Sequence, residues 1–258
     1  MPTLYSSCRY QCTAKAGTLF DKTRTPLKDW LAAIWYITNQ KSGVSALGLQ
    51  GLLGLGSYQT AWSMLHRLRR AMVVSERGSL SGVVEVDETF LSARNDARGH
   101  APQLDSKNIV IIVAVELLEP KGFGRIRLGR VNRASQADVI PFIKKNIEPK
   151  TLIHTDGSPI YGTLQDHGYR RNKFVQIGSP IPPYKTLPGV HRIASLLKRW
   201  LLGTHQGSIQ PKQLDHYLYE YTFRFNRRKS RSRGLLFYRL LESALETNPV
   251  TYKDILQG

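Results

Sequence analysis

At Gly82 the spacing of apolar residues changes from helical to extended, and three extended runs, 83–91, 108–117 and 124–131, follow before any helical segment. After them come a helix "SQADVIPFIKKNI" from Ser135, a short strand "TLIHTD" ending at Asp156, a helix near 159–166 and a short strand "NKFVQI". A Pro-rich loop, 179–189, and two closing helices starting near Val190 and Pro211 complete the region. Three strands before the first helix, with strands and helices alternating afterwards, confine this part of the chain to the α/β class, a mixed sheet flanked by helices.

The first strand, "VVEVDETFLS", carries two adjacent acids, Asp87 and Glu88, in a run otherwise suited to burial. Burying an ionised carboxylate costs several kcal/mol unless cations or hydrogen bonds compensate, so the strand asks for an Arg or Lys partner or for a metal. The order of elements resembles the ribonuclease H-like fold, in which the first and fourth strands lie side by side at the centre of the sheet. That resemblance implies that Asp87 and Asp156 converge at the carboxyl ends of neighbouring strands, where ligands of open α/β sheets bind. It favours a divalent metal, with Gly157 letting the backbone turn sharply beside it. Glu88 points to the opposite strand face, whereas Glu85 shares the face of Asp87 and is a minor candidate. His154 shares the face of Asp156 and reads as a packed strand histidine.

In "PGVHRIASLLKRWLLGTHQG" a helix from Val190 buries Val190, Ile193, Ala194, Leu197 and Leu201 and sets His191, Ser195 and Lys198 along another stripe. His191 and Lys198 therefore face the same way. In "QLDHYLYEYTFRF", Glu220 falls on the polar side of a helix; a solvated acid or a salt bridge to Arg224 is favoured over a reserve metal ligand.

Before Gly82 the chain reads as helical. "LKDWLAAIWYITNQ" is followed by a short helix at 46–53, a turn at Gly54 and Gly56, and a longer helix capped by Ser57, an arrangement that reads as a helix-turn-helix. On the longer helix Ala61, Met64, Leu65, Leu68 and Met72 follow the apolar spacing, leaving Gln59, Thr60, Ser63, Arg67 and Arg70 to enter a major groove. An ordinary pair of packed helices is the alternative. With 37 Lys and Arg against 19 Asp and Glu, the formal net charge is +18, which points to a polyanionic partner and to nucleic acid first. The cation-dense run "NRRKSRSR" is expected to track phosphates through Arg227, Arg228, Lys229 and Arg231. Two cysteines, Cys8 and Cys12, exclude a disulfide framework. The longest apolar stretch, 30–37, falls short of the roughly 20 residues that cross a bilayer, so the expected location is cytoplasmic, without a membrane.

The segments "AGTLFDKTRTPLKDW", "SYQTAWSMLHRLRRAM", "VEVDETF", "IHTDGSPIYGTL", "LLKRWLLGTHQG" and "YLYEYTFRFNRRKSRSRGLLFYRLL", in this order, resemble the ISXO-like branch of DDE insertion-sequence transposases from about Ala16 to Leu241. The resemblance implies cut-and-join chemistry on transposon-end DNA, carried by two Asp, a third ligand and a helix Lys seven residues beyond it: Asp87, Asp156, His191 and Lys198. His191 follows Asp156 at the interval that gives such acidic-triad enzymes their nickname. The resemblance further implies two Mg²⁺ or Mn²⁺ ions held by Asp87, Asp156 and His191, a homodimer or higher synaptic oligomer on transposon ends and target DNA, and a place at the bacterial nucleoid. Two departures stand out. Many relatives carry Glu where this chain has His191, a neutral and softer donor. Relatives also begin with a zinc ribbon of two Cys-x-x-Cys pairs, of which Cys8 alone remains in place, with Tyr5 in the partner position and Cys12 out of phase, so no zinc is expected. The expected organisation is a truncated zinc-ribbon-like remnant (1–25), a helix-turn-helix region (26–75), a ribonuclease H-like catalytic domain (82–241) and a tail (242–258). A decayed or domesticated transposase that only binds DNA is the alternative function.

Overall fold

The computed structural model describes residues 3–4, 11–73, 78–91, 109–175, 178, 180, 182–205 and 209–257. In chain order the elements begin with β1 (Thr3–Leu4) and β2 (Gln11–Cys12), then α1 (Leu27–Asn39), α2 (Ala46–Leu53) and α3 (Tyr58–Ala71). There follow β3 (Val83–Leu91), β4 (Ile109–Leu117), β5 (Phe123–Val131), α4 (Gln136–Asn146), β6 (Leu152–Asp156) and β7 (Arg170–Phe174). The chain closes with α5 (Pro183–Thr186), α6 (Pro188–His205), α7 (Leu214–Asn226), α8 (Arg233–Glu246) and α9 (Tyr252–Gln257). These form two compact units, one of Met1–Ser75 with Arg227–Gly258, the other of Glu76–Asn226.

In the second unit five strands make one sheet in the order β5-β4-β3-β6-β7. The β3–β4 and β4–β5 pairs are antiparallel, whereas β3–β6 and β6–β7 are parallel. The first and fourth strands of the unit are thus neighbours at its centre, the order expected of a ribonuclease H-like fold. Central β4 is buried on both faces and is accordingly a continuous apolar run. Its Ile111, Val113 and Val115 pack under α6 and α7 with Val190, Ile193, Leu197, Leu214 and Leu218. Its Ile112 and Ala114 pack under α4 with Val139, Ile140 and Ile143, joined by Val84 and Val86 of β3.

The helix expected near 159–166 is instead two 3-10 turns, Pro159–Tyr161 and Gln165–His167. Ser158 N bonds back to Asp156 Oδ1 at 2.9 Å and Tyr161 is driven into the core, so no regular helical face develops. Strand β7 starts two residues before "NKFVQI" and ends at Phe174; positions 176 and 177 lie outside the described residues. The last helix of the unit is preceded by a 3-10 turn at Pro211–Gln213.

The unit ends at Asn226, not at 241 as expected. Asn226 Oδ1 accepts from Ile126 N at 2.8 Å and its Nδ2 donates to Ile126 O at 3.2 Å. Helix α8 belongs to the other unit, where it packs on α1 and α3; Leu236, Leu240 and Ala244 are buried, and Leu19 N donates to Ala244 O at 3.1 Å. The expected tail, 242–258, therefore includes the end of α8 and α9, which packs on α3. The apolar spacing of α8 announced a buried helix but not its partner.

In that first unit Ser45 Oγ accepts from Gly48 N and caps α2, Gly54 closes α2 in the left-handed region at φ 61°, and Ser57 Oγ accepts from Gln59 N at the start of α3. The two helices and the turn between them stand where the sequence put them. Tyr5 and Cys8, on which the zinc-ribbon remnant turned, lie outside the described residues.

Candidate active site

Alternation along β3 sends Glu85 and Asp87 toward α6, and Glu88 toward Tyr161 and the α4 side. The parallel register runs to Glu85 opposite His154; two residues further on, Asp156 ends β6 while Asp87 sits in the middle of the longer β3, near enough for the Asp156 charge to act on it. Arg171 of β7 fixes the turn that follows Asp156: it donates to Thr155 Oγ1 at 2.9 Å, Asp156 O at 3.0 Å and Ser158 O at 3.1 Å. Gly157, which follows Asp156, has no left-handed φ, and a Cβ there would make only ordinary contacts with the protein.

Asp87 is half-buried and its Oδ1 accepts from Glu88 N at 2.8 Å. Burial first, then the neighbouring charges of Glu88, Asp156 and Glu85, push its pKa up to about 7. Burial also raises Glu88, opposed by the bond it accepts from Tyr161 Oη at 2.5 Å and reinforced by Asp156. Three carboxylates thus raise one another's cost, the situation that a divalent cation relieves, and the oxygen-rich donor set suits a hard ion.

From the other side α6 presents His191 and Lys198. Asp87, Glu88, Thr89, Val190, His191, Ala194 and Lys198 line one pocket of about 270 Å³. Burial lowers the His191 pKa and favours the neutral ring, the form that binds metals. Asp156 stands outside that lining, and among the described residues no three His, Cys, Asp or Glu side chains lie close enough to enclose a metal ion. Asp87, His191 and Lys198 are therefore brought together, with Asp156 near Asp87 and the Glu88 side chain turned to Tyr161, without a closed ligand shell among the described residues.

Glu85 proves to be structural. Only 1% exposed, it accepts from Val190 N at 2.9 Å through Oε2 and is also bonded by the Gly189 amide. A buried carboxylate thereby caps the amino end of α6, satisfying amides that have no partner within the helix. Gly189 is required there: a Cβ would lie 2.8 Å from Glu85 Oε2 and 3.2 Å from the Phe123 ring. The "PG" at the helix start was the signal that a reading of strand faces alone misses. Glu220, expected on a polar side, is fully buried and its Oε1 accepts from Arg224 Nε at 2.8 Å, so the ion pair favoured over a metal role is present. His154 packs edge-on against Phe174, as expected of a strand histidine.

In the other unit the outer stripe of α3 is only partly outward. Gln59 is exposed, Thr60 and Arg67 are half-buried, but Ser63 is buried and Arg70 Nη2 donates to Asp254 O at 3.0 Å. Helix α9, folded against α3, covers part of the stripe that sequence spacing left open. In the basic run Arg228, Lys229 and Arg231 are exposed, whereas Arg227 turns inward, and burial, then Arg239, lowers its pKa to about 10. No helix among the described residues is long and apolar enough to cross a membrane.

Several solved structures align with this chain at low identity and low TM-score. An intasome of simian T-cell lymphotropic virus in complex with a PP2A regulatory subunit aligns at 15% identity and TM-score 0.36, over 67% of this chain and 63% of that one. This chain thus spans less than two thirds of that relative. The catalytic core domain of BIV integrase aligns at 16% identity and TM-score 0.35, over 59% of this chain and 86% of that one. The Mos1 strand transfer complex aligns at 12% identity and TM-score 0.28, over 87% and 81%. No curated protein matches the sequence. The ISXO2-like transposase domain, in contrast, matches residues 79–226, more than half of the sequence and the whole of the sheet with its flanking helices, and the chain belongs to that transposase family.

Proposed function

We propose that this transposase binds the ends of an insertion element and cuts and rejoins DNA strands there, with Asp87, Asp156, His191 and Lys198 as its working residues. The observation that supports the reading is the nearness of Asp87 and Asp156 on the two adjacent central strands, with His191 and Lys198 of α6 lining one pocket with Asp87. In the reaction a water or 3′-hydroxyl oxygen attacks a backbone phosphorus, a P–O bond is formed, and the bond to the departing oxygen breaks. Lys198 supplies a cation for a non-bridging phosphate oxygen. Asp87 and Asp156 would hold Mg²⁺ or Mn²⁺, two ions in the fullest form, with neutral His191 as a further donor; such ions, when bound, polarise the attacking oxygen and stabilise the departing one. Arg171 and Glu85 keep the two sides of the site in place, one on the turn after Asp156 and the other on α6.

Gln59, Thr60 and Arg67 of α3, and Arg228, Lys229 and Arg231 of the basic run, are the proposed DNA contacts. The protein acts as a homodimer or larger synaptic assembly at the bacterial nucleoid. The test is cleavage of labelled end-sequence duplex by wild type, Asp87→Asn and Asp156→Asn. Both substitutions should abolish cutting and leave DNA affinity unchanged; undiminished cutting in either removes the assignment. A protein that only binds DNA would show no metal-dependent nicking in any form.

A further inference from the structure

The unit formed by residues 1–75 and 227–258 contains a cleft of about 420 Å³ that the proposed chemistry does not use. Lys22, Arg24 and Arg67 line it together with the hydroxyl groups of Thr23, Thr60 and Ser63, and no carboxylate is among its lining residues. Lys22 and Arg24 stand exposed at the rim, and Arg67 is half-buried in the wall. Arg67 Nε is buried and has no hydrogen-bond partner among the described residues. Leaving a buried donor unmade is costly, and a guanidinium presents a planar fork that suits two oxygens of one phosphate.

The rim is built rather than loose. Thr23 Oγ1 accepts from Thr25 N at 3.2 Å and from Trp30 Nε1 at 3.0 Å, which ties the loop to α1 and leaves the hydroxyl hydrogen to be donated. Lys22 adopts a φ of 52°, a left-handed conformation that few lysines take and that the surrounding structure must hold. Burial lowers the Arg67 pKa with no anion to oppose it. Cations at rim and wall, hydroxyl donors between them and no acid describe the chemistry of a tetrahedral oxyanion.

We propose that this cleft grips a phosphate of the DNA backbone, with Arg67 as the buried anchor, so that α3 holds the strand by its backbone and does not read its bases. The inference rests on the reading that DNA is the partner, and it changes what α3 does there. A backbone anchor works on any sequence, contributes in proportion to released counterions, and positions the duplex without specifying it.

The experiment measures binding of the full chain to short labelled duplexes of two unrelated sequences across a salt series. Loss of one phosphate contact lowers the slope of log affinity against log salt by about 0.9, so between about 50 and 200 mM salt wild type should lose about 3.5-fold more affinity than Arg67→Ala. The change should be equal on both sequences. Thr60→Val, which alters no charge, should weaken binding to both duplexes with the slope kept, and inorganic phosphate should raise the melting temperature of wild type but not of Arg67→Ala. An unchanged slope in a folded Arg67→Ala overturns the proposal, as does a loss confined to one sequence, which would make α3 a base reader. Stabilisation by inorganic phosphate with no change in the DNA slope would also overturn it, because the cleft would then serve a small free anion. If wild type binds neither duplex, the transposase reading itself fails, a result distinct from all of these.

Discussion

Removing the carboxylate that caps α6 should loosen the helix carrying two of the four proposed working residues. In Glu85→Ala the amides of Gly189 and Val190 lose their shared acceptor, and both residues are buried. Each orphaned buried donor costs about 1–3 kcal/mol, and the helix amino end loses a favourable anion worth up to about 2 kcal/mol. Against this, the variant no longer buries a charge, a term of several kcal/mol of opposite sign. The net expected is about 2–3 kcal/mol of destabilisation, and Glu85→Gln, which keeps an acceptor without the charge, should lie between Ala and wild type. For a unit of this size 1 kcal/mol corresponds to about 2–4 °C, so the Ala variant should melt roughly 4–12 °C lower. The assay is thermal unfolding at fixed pH alongside end cleavage and DNA affinity. Cleavage should drop at temperatures where both variants are still folded, with affinity unchanged, because His191 and Lys198 lose their fixed distance from Asp87. An Ala variant that melts with wild type and cuts equally well would refute the cap.

Gly189→Ala drives a methyl against Glu85 Oε2 and the Phe123 ring; overpacking of this kind costs about 1–3 kcal/mol, read as a lower urea midpoint with an unchanged m-value. The Asp87 carboxyl, raised to about 7 against an ordinary value near 3.9, contributes stability below about pH 4 that is lost as pH rises through about 7. Asp87→Asn should accordingly raise the melting temperature at pH 8 and not at pH 4, and parallel melting curves at the two pH values would show that Asp87 carries no such burden. Cleavage by wild type should be faster with Mn²⁺ than Mg²⁺, since His191 adds a nitrogen donor; His191→Glu should recover Mg²⁺ activity, and His191→Ala should be nearly inactive with either. With the His191 pKa lowered by burial, the acidic limb that His191 contributes to the Mn²⁺ rate profile should lie below the ordinary value of about 6.5, and it should vanish in His191→Glu, which leaves only the titration of Asp87; an unchanged profile in that variant would refute the role of the neutral ring.

The sheet was legible because its signals are local. An extended run with acids on both faces marks β3, and the two-faced burial of β4 leaves a continuous apolar run. Asp87 and Asp156 could be placed beside each other once the strand order was assumed, since parallel register carries the alignment from Glu85 and His154 to the acids. What sequence spacing does not encode is which surface a second element covers. Arg70 and Ser63 looked outward until α9 and the packing of α3 enclosed them, Glu220 looked solvated yet is fully buried with Arg224, and α8 is buried against α1. The role of Glu85 was hidden for the same reason, because its partner lies more than a hundred residues away.

The bonds between Asn226 and Ile126 have a bearing on the exposed edge of the sheet. β5 is the outer strand of the sheet, and its free amide and carbonyl at Ile126 would invite another chain to pair edge to edge. A side-chain amide offers the same donor and acceptor as a peptide group, so Asn226 occupies that position as a strand residue would, from the end of a helix. Arg125, Arg127 and Arg130 line the same strand with charge. One residue thus occupies the Ile126 position of this edge at the point where the chain leaves the unit, and an apolar replacement there would free that peptide group before it weakened any core.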